Sequence, residues 1–183
     1  GLKWEAVPAH LRSGTFISRS YSGDDLRAHI VIGCVDTRAA RATIGDAVSG
    51  RSTTSYWCDQ GNNADSGQFV LGETLNERNR RSKLRLRTAA ELYPEIVDPG
   101  LDDDGEPSCS AVEALDRQSA FVNSILAQHA LALLARLFRY GEINYHGGFI
   151  NLATGVTSVL RIDPQYWKRS RRVSKRNSEL GQS

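Results

Sequence analysis

An α/β fold follows from three features of the sequence. A β-branched apolar run is followed at once by a helix and a second strand, a long helical pattern lies later in the chain, and an alternating hairpin signal closes it. Residues 29–35 (HIVIGCV) form the apolar run, as expected of a central strand buried on both faces. Asp36-Thr37 suits a helix N-cap, and Ala39, Ala40, Ala42, Ile44 and Ala47 continue as a helix that stops near Gly50. Further strands are expected at 53–58 and 68–71, with DQGNNADSG as the turn between them. Strand, helix and strand in this order make a parallel unit.

Residues 76–109 read as an irregular crossover loop containing an Arg-rich piece, ELYPEIV and the acidic DDDGEP turn. Residues 110–140 carry the strongest helical pattern, Val112, Leu115, Val122, Ile125, Leu126, Leu133, Leu134 and Leu137, with no interior Gly or Pro and Gly141 as its stop. One long, largely buried helix is expected. Residues 143–162 read as an antiparallel hairpin around Ala153-Thr154-Gly155, and 166–183 as a basic, flexible tail.

Composition bounds the function class. Of 183 residues 40% are hydrophobic and 24% charged, which excludes a wholly disordered chain. The formal charge of +2 is too small to advertise a nucleic-acid partner, and the basic residues between 168 and 176 read as a solvated end. No apolar run approaches the roughly 20 residues that span a bilayer, so no membrane association and a cytoplasmic location are expected. Cys34, Cys58 and Cys109 are widely spaced and form no CxxC pair, so neither a disulfide framework nor structural zinc is expected.

The most informative stretch is 34–41, CVDTRAAR. A carboxylate directly after a parallel strand lies at the sheet's carboxyl edge, where open α/β folds bind ligands. Asp36 there either caps the following helix or holds a magnesium ion beside phosphates, since hard cations favour carboxylate oxygens. Cys109 follows an acidic stretch that would raise a thiol pKa, and it is either an accessible nucleophile or an inert thiol. His146 beside two glycines reads as a turn or surface residue, and Gln118 and Asn123 as partners for buried backbone groups.

The run VIGCVDTRAAR resembles the C-(T/V)-D-(N/T)-x-x-x-R segment of the ThiF/MoeB/HesA (E1-like) family, with Thr37 where many members have asparagine. Gly67-Gln68 resembles the family's Gly-Gln turn, and EPSCSAVEAL its crossover cysteine before the last helix. CSAVEALDRQSAFVN and YHGGFINLATG are similar to the ThiF-like proteins of the ParB-related, ThiF-related cassette (PRTRC) of mobile bacterial elements. The resemblance covers 1–165 and implies a Rossmann-like E1/ThiF-type mixed sheet with flanking helices, lacking the N-terminal nucleotide-binding half.

By that resemblance Asp36 holds magnesium and ATP, Arg41 braces the acyl-adenylate pocket, and Cys109 accepts a thioester or persulfide. The substrate it implies is the C-terminal carboxylate of a small β-grasp, ubiquitin-like or sulfur-carrier protein, activated by a homodimer. No GxGGxG loop is present to cradle phosphates, and the opening GLKWEAVP matches the family mid-domain, so a preceding half is expected from the same gene or another chain. The rival reading is a non-catalytic E1-like scaffold within the cassette.

Overall fold

A computed structural model describes residues 28–102 and 119–167, together with 6, 8 and 10–12. Its centre is a five-stranded mixed sheet in the order β1 (Ile30–Cys34), β2 (Tyr56–Asn62), β3 (Ser66–Glu73), β4 (Tyr145–Asn151) and β5 (Val156–Arg161). β1 and β2 are parallel, joined through helix α1 (Arg38–Ala47), and every later pairing is antiparallel. The expected α/β class, the parallel unit and the closing hairpin are all present.

The apolar run does form a strand, but among the described residues it lies at the edge of the sheet. Among the described residues β1 pairs only with β2, and Ile32 is 45% exposed. Continuous apolarity signals burial on both faces only where both faces are covered. The long helix Val122–Tyr140 packs chiefly on β2, β3 and β4, and of β1 only Ile30 joins that cluster.

The hairpin of β2 and β3 is longer than its apolar residues imply. Gly61 and Asn62 pair with Gln68 and Gly67, so the turn shrinks to residues 63–65, closed by the Asn63 amide donating to the Ser66 carbonyl at 2.7 Å. Gly67-Gln68 is therefore strand and not turn. An ideal Cβ on Gly67 would stand 2.4 Å from Leu126 Cδ1, so a glycine here serves helix–sheet contact.

The crossover is ordered and irregular as far as residue 102. Three 3-10 turns (Asn79–Arg81, Pro94–Val97, Pro99–Leu101) flank the short helix α2 (Ala89–Leu92). Thr88 and Glu91 cap α2 reciprocally, and Glu91 also accepts a forked pair of bonds from Arg85 at 2.6 and 2.7 Å. Arg85, inside the Arg-rich piece, is only 2% exposed and also donates to the Glu73 carbonyl, so it ties the crossover to β3.

Helix α3 spans Val122–Tyr140 and ends at Gly141, whose φ of +72° supplies the left-handed cap. The expectation of one helix from residue 110 is corrected. A turn at Ser119–Phe121, held by the Ser119 amide on the Ala64 carbonyl at 2.8 Å, precedes its first residue. Residues 103–118 lie outside the described residues.

Nor is α3 largely buried. Val122, Leu126, Ala130, Leu133 and Leu134 pack with Cys58, Phe69, Leu71 and Ile150, while Leu131 and Phe138 face solvent. The helix is amphipathic, as expected of a helix lying on one side of a sheet. On the opposite side α1 covers Trp57 through Ile44, Ala47 and Val48, and α2 covers Val70 and Leu160.

A bulge between Tyr145 and Gly147 places His146 fully inside the protein, contrary to its reading as a turn or surface residue. Nδ1 lies 2.9 Å from the Leu71 carbonyl, and the ring meets Trp167 edge-on at 5.3 Å. No helix among the described residues is long and apolar enough to cross a membrane.

Candidate functional site

The carboxyl ends of β1 and β2 open into a polar cleft of about 620 Å³. Its walls come from the start of α1, Ile96 and Asp102 of the crossover, and the adjoining ends of β3, β4 and β5. A parallel pair creates such an opening because the chain leaves the end of β1 for α1 while β2 runs on, paired with β3, to Asn62.

Asp36 stands at this edge, exposed, lining both the cleft and a smaller adjoining hollow of about 300 Å³. The capping alternative falls to its neighbour. Thr37 is the N-cap of α1, its hydroxyl accepting from the Ala40 amide at 3.1 Å. Asp36 is thus left facing the cleft.

Arg41 also reaches the cleft, from the buried side of α1. Its Nε donates to Asp59 Oδ1 at 3.0 Å, and Nη2 donates to the carbonyls of Val35 at 2.9 Å and Gln60 at 3.4 Å. Asp59 is fully buried, and its second oxygen has no hydrogen-bond partner. Burial pushes its carboxyl up to about 6, against the lowering pull of the Arg41 charge and hydrogen bond. Arg41 is therefore a braced side chain whose charge is largely matched at neutral pH.

The amino end of α1 is filled from within the chain. The two carboxylate oxygens of Asp102 accept from the Arg38 and Ala39 amides at 2.8 and 2.9 Å, while Arg38 also donates to the Leu101 carbonyl. These amide bonds, Ala39 first and then Arg38, hold the Asp102 carboxyl below the usual range. An internal anion thus occupies the helix end nearest Asp36.

The floor is rich in amides and hydroxyls, with Gln68 from β3, Asn151 from β4 and Ser158 from β5. Such groups suit an extended peptide or a sugar better than an apolar ligand. Cys34 is exposed rather than buried in its strand, and partial desolvation of its thiol, followed by the nearby Asp59 charge, raises its pKa. Cys58 is buried as expected, its thiol pushed up to about 12, chiefly by desolvation. Cys109 lies outside the described residues.

Of the residues singled out in the sequence, Asp36 and Arg41 come together in one cleft. Asp59, Arg38 and Asp102 were not anticipated. Asp59 carried a signal, since it shares the inward parity of Trp57 in YWCDQ and so had to be buried with a cation. Asp102 carried none, because its contact spans 63 and 64 residues of sequence.

The residues present fit magnesium and an anionic ligand in part. One exposed carboxylate is enough to share a magnesium ion with phosphates, and no group of three or more acidic, Cys or His side chains gathers among the described residues. No glycine-rich phosphate cradle is present in the sequence, and the α1 amides are taken by Asp102. The fold and cleft thus define an α/β protein with a polar site at the carboxyl edge of its parallel strands. No family model matches the chain, and no curated protein matches it.

Proposed function

We propose that the chain is part of an E1-like, ATP-dependent adenylyltransferase that activates the C-terminal carboxylate of a small ubiquitin-like or sulfur-carrier protein. The observation that carries this reading is Asp36, exposed at the end of β1 and relieved of capping by Thr37, at the mouth of a polar cleft. The parallel unit followed by antiparallel strands supports it, as does the sequence resemblance. ATP and magnesium are the co-substrate and metal of the proposed reaction.

In this reading Asp36 orients the metal-bound phosphates, and Arg41 faces the acyl end of the cleft. Gln68, Asn151 and Ser158 hold the carrier's extended tail by hydrogen bonds. Among the described residues no strand pairs with the outer edge of β1, where Ile32 is half-exposed, and in this reading that edge is where strands of a nucleotide-binding half add to the sheet. Cys109 is the proposed acceptor of the activated acyl group or of sulfur. The enzyme is proposed to act as a cytoplasmic homodimer.

Pyrophosphate exchange into labelled ATP, measured on the full-length protein and on Asp36→Ala, tests the reading. A loss of about a hundredfold or more is expected from removing a metal ligand. Equal signals would remove Asp36 from the metal role.

The rival, a non-catalytic scaffold of a mobile-element cassette, is favoured by one observation: Asp102 fills the amide site at the start of α1. It predicts no exchange in either protein.

A further inference from the structure

We propose that Asp59 is a positioning residue: it holds the Arg41 guanidinium against β2 at the cleft and decides how much of that positive charge a bound anion meets. This rests on reading the cleft as an anion site, and it concerns a residue outside the Asp36–Arg41 segment.

Three observations converge on it. First, Arg41 is fixed at Nε and Nη2 by one carboxylate and two carbonyls, and only 9% of its side chain is exposed. Nη1 makes no hydrogen bond among the described residues, and Arg41 lines the cleft, so the free amino group is the part a ligand would meet. Second, the guanidinium lies so close to β2 that an ideal Cβ on Gly61 would stand 2.8 Å from Nη2. A glycine at this position lets the side chain lie flat. Third, Asp59 has no exposure and uses one oxygen of two, so it is held in place by this one ion pair.

A buried carboxylate with one ionic partner fixes both the direction and the net charge of that partner. With Asp59 ionised the pair is neutral and Arg41 offers hydrogen bonds. With Asp59 protonated the pair is a cation. Arg41 of α1 is the charged group in contact with Asp59. Cys34 of β1 and Cys58 of β2 interact with its charge, while β3 presents Val70 opposite it. Mild acid therefore converts the braced guanidinium into an uncompensated one.

The test reads Arg41 directly, through its Nε–Hε resonance by ¹⁵N NMR on the chain between pH 8 and 5. In the wild type that proton is expected to exchange slowly and its signal to move with a midpoint near 6. Asp59→Asn keeps an acceptor oxygen but is expected to abolish the transition, and Gly61→Ala to shift the signal with Asp59 intact. Inorganic pyrophosphate titrated at pH 7 should bind Asp59→Asn about fivefold tighter than wild type.

An Arg41 signal that titrates identically in wild type and Asp59→Asn would overturn the proposal, whatever the change in melting temperature. A wild-type signal with no transition would do so as well, without recourse to any variant. Should no variant bind pyrophosphate, the cleft's reading as an anion site fails, while the Arg41 spectrum still decides the positioning role.

Discussion

Two buried titratable groups, one on β2 in the parallel half of the sheet and one on β4 in the antiparallel half, divide the molecule. Asp59 of the parallel half and His146 of the antiparallel half are both fully buried, and each keeps one polar atom without a partner. Their surroundings differ. Asp59 is matched to a guanidinium that reaches an open polar cleft, whereas His146 meets a backbone carbonyl and the Trp167 ring inside a packed layer. The parallel half places charge where a ligand can meet it, and the antiparallel half supplies the rigid platform.

The largest expected effect tests the platform. Leu133 is fully buried between α3 and the sheet, so Leu133→Ala should cost roughly 3 to 4 kcal/mol in urea unfolding. Arg41 and Asp36 resonances should keep their positions in the folded variant. Movement of both would break the division between platform and site.

Next comes the tie between crossover and sheet. Arg85→Ala removes the forked partner of Glu91, leaving only Arg87 and Thr88 to match that part-buried carboxylate, and should cost about 2 kcal/mol. Burial alone would raise the Glu91 pKa, but bonds from Arg85 and Thr88 hold it below its ordinary 4.5. Its stabilisation is therefore full above pH 4.5 and lost as pH falls through the depressed value. Arg85→Ala should flatten that acid limb in urea midpoints.

Asp59 and His146 should then pull stability in opposite directions. Desolvation lowers the His146 pKa, so its contribution is full above 6.5 and is lost as pH falls below that value. The Asp59 pKa is raised from 3.8 to about 6, so its contribution is full below 3.8 and lost as pH rises through 6. Between pH 7 and 5, His146→Gln should lessen acid destabilisation and Asp59→Asn should steepen it. Like-signed changes would end the contrast between the two groups.

The smallest effect sharpens the cleft. Gly61→Ala places a methyl against the guanidinium of Arg41, which three acceptors hold and which must give way slightly, so it should cost about 1 kcal/mol. Its thermal midpoint should shift by only a few degrees.

Much of this division was legible in residue pattern. The β-branched run, the Thr37 cap, the α3 stripe and the turn at Gly155 specify local structure through period and backbone preference. Whether β1 lies at the centre or the edge was not legible, because apolarity does not say which neighbours exist. The ends of β2 and β3 were hidden too, since Gly61 and Gly67 carry no strand signal and pair for reasons of close approach. In the cleft Asp36 and Arg41 were found through one short segment, while Arg38–Asp102 and Arg85 depend on contacts that no local spacing encodes.

The most direct measurement is a titration with Mg-ATP of the chain joined to the nucleotide-binding half that the proposed reaction requires, followed by amide and side-chain NMR shifts. Changes concentrated at Asp36, Arg38, Asn62 and Gln68, and lost in Asp36→Ala, are the predicted result. Saturable binding that leaves those signals still, or shifts confined to β4, β5 and α3, would contradict it.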